Sequence, residues 1–131
     1  MNENDADVHR HIGPMLLDMG FVLDEIQGRL TYKERPAWAV FYRREDGKLQ
    51  VCWSAREGST EFMLAKPFVA NTFGLDATAM GWHFLLMLSD FDESLVTPSI
   101  DADAEDWWQW RQSLLQGHLP DAVRSLSGEG S

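Results

Sequence analysis

Apolar and polar positions along this chain follow three different rhythms. In the first stretch Val8, Ile12, Met15, Leu16 and Met19 recur three and four residues apart, the spacing of a single helical face. Asp5 or Asp7 is placed to cap such a helix and Gly20 to stop it, while Gly13 and Pro14 predict a kink or a later start at Pro14. From Phe21 the period shortens to two. Runs over 21–26, 29–33, 37–43, 48–54 and 60–65 have strand character and are separated by Gln27-Gly28, Asp46-Gly47 and Glu57-Gly58. The Asp46-Gly47 pair is the strongest hairpin signal, because tight turns need positive φ and these residues supply it at little cost. Both faces of the run over 37–43 are apolar, with Trp38, Val40 and Tyr42 alternating with Ala39 and Phe41. One face is therefore expected to meet the helices, and the other to keep aromatic surface for a loop, a second protomer or a ligand.

After Pro67 the rhythm changes again. Met80, Phe84, Leu85, Met87 and Leu88 are dense enough for a buried helix capped by Thr78, with a strand over 82–88 as the competing reading. Residues 90–103 read as a loop. A helix over 104–116 follows, with Glu105 and Asp106 in the first turn where its dipole favours acids; Gly117 is expected to end it and Pro120 to open a short last helix over 120–126. The pattern predicts one α+β domain spanning 1–131, in which an N-terminal helix and C-terminal helices pack on an antiparallel meander of four or five strands. The Ser- and Gly-rich end, about 125–131, is expected to be a flexible tail.

Charge sharpens the picture. The chain of 131 residues carries a net charge of −10, distributed unevenly. Residues 1–28 hold six acids and one base, 29–66 hold five acids and eight bases, and 67–131 hold ten acids and two bases. No Lys or Arg occurs between Lys66 and Arg111, and that gap contains Asp76, Asp90, Asp92, Glu93, Asp101, Asp103, Glu105 and Asp106, directly ahead of Trp107, Trp108 and Trp110. This balance opposes non-specific attraction to duplex DNA or to an anionic membrane. It suits a basic protein partner, which charge would steer and a buried aromatic would anchor.

Chemical motifs are sparse. His9 and His11 point in different directions on a helix, and His83 and His118 read as a core or edge histidine and a helix-end histidine. Asp101, Asp103 and Glu105 start like a calcium loop, but the sixth position is Asp106 rather than Gly and the twelfth Gln112 rather than Glu. Phosphate loops, zinc-protease motifs, cysteine pairs and nucleophile elbows do not occur. The single Cys52 alternates with Val51 and Trp53 and reads as a packed thiol. No catalytic residue, metal site or cofactor is implied, and the expectation is a protein without enzyme activity. The lone cysteine and an N-terminus without a basic start and apolar core predict a cytoplasmic location, and the longest apolar run, 84–88, is too short to cross a membrane.

Two functional readings follow. The leading one is an acidic inhibitor or immunity-like protein that sequesters a basic partner such as a nucleic-acid enzyme or toxin, through Asp90, Asp92, Glu93, Asp101, Asp103, Glu105 and Asp106, with Trp108 as the aromatic anchor. The alternative is a single-stranded nucleic-acid binder that uses Trp38, Tyr42, Arg43 and Arg44 on an aromatic, basic sheet face. Small size, acidity and the helix, meander, helix order resemble the outline of bacterial and phage toxin immunity proteins, inhibitors of nucleic-acid enzymes and class I secretion chaperones, with no shared motif. A secretion-type chaperone role is therefore a further alternative, and both a monomer and a homodimer joined through a sheet edge fit the pattern. A small hydrolase or metal-assisted enzyme ranks last.

Overall fold

The computed structural model describes residues 5–56, 58, 60–74, 81–89, 98–99 and 101–126. Helix α1 (Asp5–Asp18) leads into strands β1 (Val22–Tyr32), β2 (Arg35–Arg44), β3 (Gly47–Ser54), β4 (Thr60–Ala65) and β5 (His83–Phe84). A single-turn helix α2 (Leu85–Leu88) and a long helix α3 (Ala104–Leu126) are the remaining elements among the described residues. The strands form one antiparallel sheet in sequence order, β1-β2-β3-β4-β5. This is the expected α+β domain, with five strands and with helices from both ends of the chain packed on the sheet.

The helix α1 buries Val8, Ile12 and Leu16, one face at a four-residue repeat. It runs unbroken through Gly13 and Pro14 and ends where the sequence indicates. Gly20, at φ +91°, lets Phe21 N–H reach back to the Leu16 carbonyl at 2.8 Å and Gly20 N–H to the Leu17 carbonyl at 3.0 Å. That paired closure satisfies carbonyls that the last turn would otherwise leave open, and a side chain at Gly20 would strain it.

The two faces of the sheet follow the period-two pattern closely. Trp38, Val40, Tyr42, Leu49, Val51, Phe62 and Leu64 point toward α1 and α3 and form the larger core with Val8, Ile12, Leu16, Trp108, Leu115 and Leu119. Ala37, Ala39, Phe41, Cys52, Met63 and Ala65 point the other way. The loop after β4 covers them, burying Phe73 and the fully buried Trp82 against that face. A loop is thus what occupies the second aromatic face.

Polar bonds hold that loop in place. Trp82 Nε1 donates to the Ala70 carbonyl at 2.9 Å, and the buried Gln50 both donates to the Thr72 carbonyl at 3.0 Å and accepts from Gly74 N–H at 2.7 Å. Lys48 Nζ donates to the Val69 carbonyl and to Asn71 Oδ1, and Asn71 in turn donates to Asp24 and Glu25 on β1. Gly74 lies so close to Met63 that a Cβ there would collide with the Met63 sulfur, so the backbone seats flush on the sheet.

Several local expectations are corrected. The runs over 21–26 and 29–33 are one strand, with register irregularities rather than a turn near Gln27-Gly28. The β1/β2 turn is Lys33-Glu34, both at positive φ (52° and 68°), which two long charged side chains do not advertise. The β2/β3 hairpin closes at Glu45-Asp46, with Arg44 opposite Gly47, one residue earlier than the Asp46-Gly47 signal. Residues 83–88 combine both competing readings, a two-residue strand followed by one helical turn; Thr78 and Met80 lie outside the described residues. Finally, Gly117 and Pro120 do not break α3, because Leu114, Leu115, His118, Leu119, Ala122, Val123 and Leu126 continue a single buried stripe through both. Packing of that stripe offsets the local cost of a proline in a helix. The onset of the tail at Ser125 lies inside α3, and 127–131 are outside the described residues.

Candidate functional site: an apolar groove beside the acidic start of α3

Of the residues expected to meet a basic partner, Asp90, Asp92 and Glu93 lie outside the described residues. Asp101, Asp103, Glu105 and Asp106 are exposed at the start of α3. Asp103 has a structural role there as well, since its Oδ1 accepts the Asp106 N–H at 3.0 Å as a helix cap does. The anchor is corrected. Trp108 is only 2% exposed, stacked at 5.0 Å and 4° on the His11 ring of α1, with the Arg111 guanidinium 4.6 Å from its own ring. Gln112 reinforces the junction by donating to the His11 carbonyl at 2.6 Å. Trp108 therefore joins α3 to α1 and is closed to an incoming partner.

The aromatic surface next to the acids belongs to Trp107 and Trp110. Both are only half-buried, packed edge to face at 5.9 Å. With Leu114 and the buried Arg111 they line one wall of a groove of about 440 Å³; Phe84, Leu85, Leu86 and Met87 line the opposite wall, and Thr60, Glu61 and Phe62 of β4 form its base. The groove arises because the chain leaves the sheet after Phe84 and turns into α2, so the space beside β4 is not filled by a longer β5. Leu86 and Met87 are 58% and 80% exposed, which is costly for apolar side chains that have no further role. Trp110 Nε1 is shielded from water and has no hydrogen-bond partner among the described residues. Trp107 and Trp110, three positions apart, share one face of the helix and are spaced like core residues; the run of Leu85, Leu86 and Met87 is the sequence signal for the opposite wall.

The basic sheet face is also corrected. Trp38 and Tyr42 are 4% and 2% exposed beneath the helices, so they offer no platform on which bases stack. Arg43 pairs with Asp24 at 3.3 Å. Arg44 bonds Asp46 through two nitrogens, donates to the Met19 carbonyl at 2.8 Å and lies 4.6 Å from the Phe21 ring. The hydrogen bond from Arg44 is the main reason the Asp46 carboxyl is held below its usual range. These cations brace the fold between α1 and the hairpin.

One polar cluster has the residue types of a hydrolase. Ser89 Oγ lies 2.9 Å from His118 Nδ1 and 3.4 Å from Asp121 Oδ2. In a serine triad the acid orients the imidazole, whereas here Asp121 approaches the hydroxyl itself. The cluster ties the end of α2 to α3. Cys52 is fully buried, and burial pushes its thiol up to about 12, away from nucleophilic use. Among the described residues no three His, Cys, Asp or Glu side chains gather as metal ligands, and no helix is long and apolar enough to cross a membrane.

No family model, curated protein or solved structure matches this chain. The site therefore has to be read from its own chemistry.

Proposed function

We propose that this protein is a non-catalytic binding protein that takes up a basic protein partner, in the manner of an inhibitor or immunity protein acting in the cytoplasm. The observation that carries the reading is the apolar groove of Trp107, Trp110, Phe84, Leu86 and Met87 lying beside Asp101, Asp103, Glu105 and Asp106, with Glu61 in its base. Apolar contact in the groove supplies affinity, and the carboxylates select cationic partners and speed their encounter. Inhibition then works by occlusion: Lys and Arg that a nucleic-acid enzyme uses for phosphates are engaged by carboxylates, and its substrate is excluded. Escort of a partner, as by a secretion chaperone, would use the same groove and end in release.

The test is affinity capture from nuclease-treated lysate of the source organism, eluted by a salt step and read by mass spectrometry. Parent protein is compared with the surface variant Met87→Lys and with Asp101→Asn, Glu105→Gln, Asp106→Asn combined, which leaves the Asp103 cap intact. The expected result is a basic protein in the parent's salt fraction that both variants lose. Equal recovery from parent and variants would contradict the proposal.

A further inference from the structure

The strand β1 forms an open edge of the sheet. It is the longest strand, with eleven residues, and it stands at one end of the strand order, paired with β2 alone. Among the described residues, 22–32 make no backbone hydrogen bond outside that ladder, so the outer row of N–H and C=O groups is available for pairing. Of the seven large apolar side chains that the described residues leave exposed, four lie along this edge. They are Val22, Leu23 and Ile26 of β1, at 39%, 41% and 45%, and Leu17 at the neighbouring end of α1. Two opposite charges on the strand are also uncompensated. Glu25 accepts a hydrogen bond from Asn71 but faces no cation, and Arg29 faces no carboxylate, among the described residues. Four positions apart on an extended strand, they are about 13 Å from each other, too far to pair within one chain.

We infer that β1 pairs antiparallel with β1 of a second copy of this chain, about a two-fold axis, so that the two sheets become one. The order of charges selects this occupant. Asp24 and Glu25 precede Arg29, so a second copy laid antiparallel brings unlike charges together, whereas a parallel copy sets like against like. Charges on an edge strand ordinarily deter strand addition, and here they deter all but a partner of the reverse charge order. Symmetry narrows the register. Successive residue pairs of an antiparallel ladder alternate between hydrogen-bonded and non-hydrogen-bonded types, so a two-fold axis normal to the sheet passes through one pair and sets a residue opposite itself. With Gln27 at the axis, Glu25 of each copy lies opposite Arg29 of the other, and both stranded charges are paired. Between Gln27 and Leu30, β1 holds one residue more than β2 does between Ala39 and Ala37, so a residue at Gly28-Arg29 is already released from the inner ladder. The groove beside β4 and α2 lies at the other end of the strand order and stays open in this dimer, so the inference does not depend on the proposed basic partner.

The test is sedimentation velocity of the full chain at low salt, from micromolar to millimolar concentration. The parent is expected to pass from monomer to dimer over that range. Glu25→Arg and Arg29→Glu should each weaken the dimer roughly tenfold, because two attractive cross-strand pairs per dimer become repulsive. An equimolar mixture of the two variants should dimerise again, since every cross-strand pair in the mixed dimer is once more of opposite sign. That recovery separates the charge effect from damage to the fold, which mixing does not repair. A parent that stays monomeric throughout overturns the inference and leaves the edge to a strand of another protein. A dimer that neither substitution weakens, or a mixture that dimerises no better than its components, overturns it as well.

Discussion

Replacing Tyr42 by Phe should stabilise this protein. The side chain is 2% exposed, and its hydroxyl has been removed from water without gaining a bond among the described residues. An unsatisfied buried polar group costs about 1–3 kcal/mol, while the ring, which provides the packing against α1, is unchanged by the substitution. At pH 7 the gain should be about 1 kcal/mol, or about 3–5 °C in Tm for a domain of this size. The effect should grow in alkali. Burial raises the Tyr42 hydroxyl from 10.0 to about 12, so between those values the unfolded chain has lost a proton that the folded protein still holds. Stability from the neutral hydroxyl is therefore complete below pH 10 and declines as pH rises toward 12. At pH 11 the parent should have lost on the order of 1 kcal/mol that the Phe variant retains. Cys52, raised from 9.0 to about 12, adds a similar decline to both proteins and cancels in the comparison. Urea unfolding of parent and variant at pH 7, 9 and 11, followed by far-ultraviolet circular dichroism, measures the difference. A variant less stable than the parent at pH 7, or a gap that stays constant to pH 11, would refute the reasoning.

Three other outcomes are expected. Lys33→Asn with Glu34→Gly, at φ 52° and 68°, should raise stability by about 1 kcal/mol in urea unfolding, because the new residues adopt positive φ more readily. Trp82→Phe removes both packing volume and the bond to the Ala70 carbonyl, and should cost about 2–4 kcal/mol by the same assay while releasing the loop over the second sheet face. Cys52 should resist thiol reagents in the folded protein at pH 8 and react at the rate of global unfolding, as a time course with Ellman's reagent would show.

The legible parts of this fold are those fixed by local pattern. Alternation along β2, β3 and β4 assigned Trp38, Val40 and Tyr42 to one face and Ala39 and Phe41 to the other, and β4 runs over Thr60–Ala65 as its pattern indicates. Gly20 stops α1 because positive φ is a backbone demand visible at a single residue. What stayed hidden depends on distant parts of the chain. Trp108 is closed off by His11, almost a hundred positions earlier, and no spacing within α3 conveys that. Lys33-Glu34 forms a tight turn because the pairing of two strands enforces it against the residues' own preferences. Gly117 and Pro120 are local stop signals that a buried stripe overrides.

The candidate site divides in the same way. Its acidity was readable by counting, since a stretch of eight acids without a Lys or Arg needs no structure to be seen. Its groove was not, because it exists only where β5 stops after two residues and α2 turns away from β4. Trp107 and Trp110 are spaced like core residues and become surface aromatics through that departure.

The central claim is that the groove beside the acidic start of α3 takes a cationic, amphipathic partner. The most direct test is a methyl NMR titration of the full chain with a Leu/Lys amphipathic peptide, paired with a Leu/Glu peptide of the same pattern and repeated at high salt. The account predicts saturable shifts at Leu85, Leu86, Met87 and Leu114 with the cationic peptide, weakened by salt and absent with the anionic one. Shifts of equal size with both peptides, or a response to the cationic peptide that leaves those four residues unmoved, would contradict it.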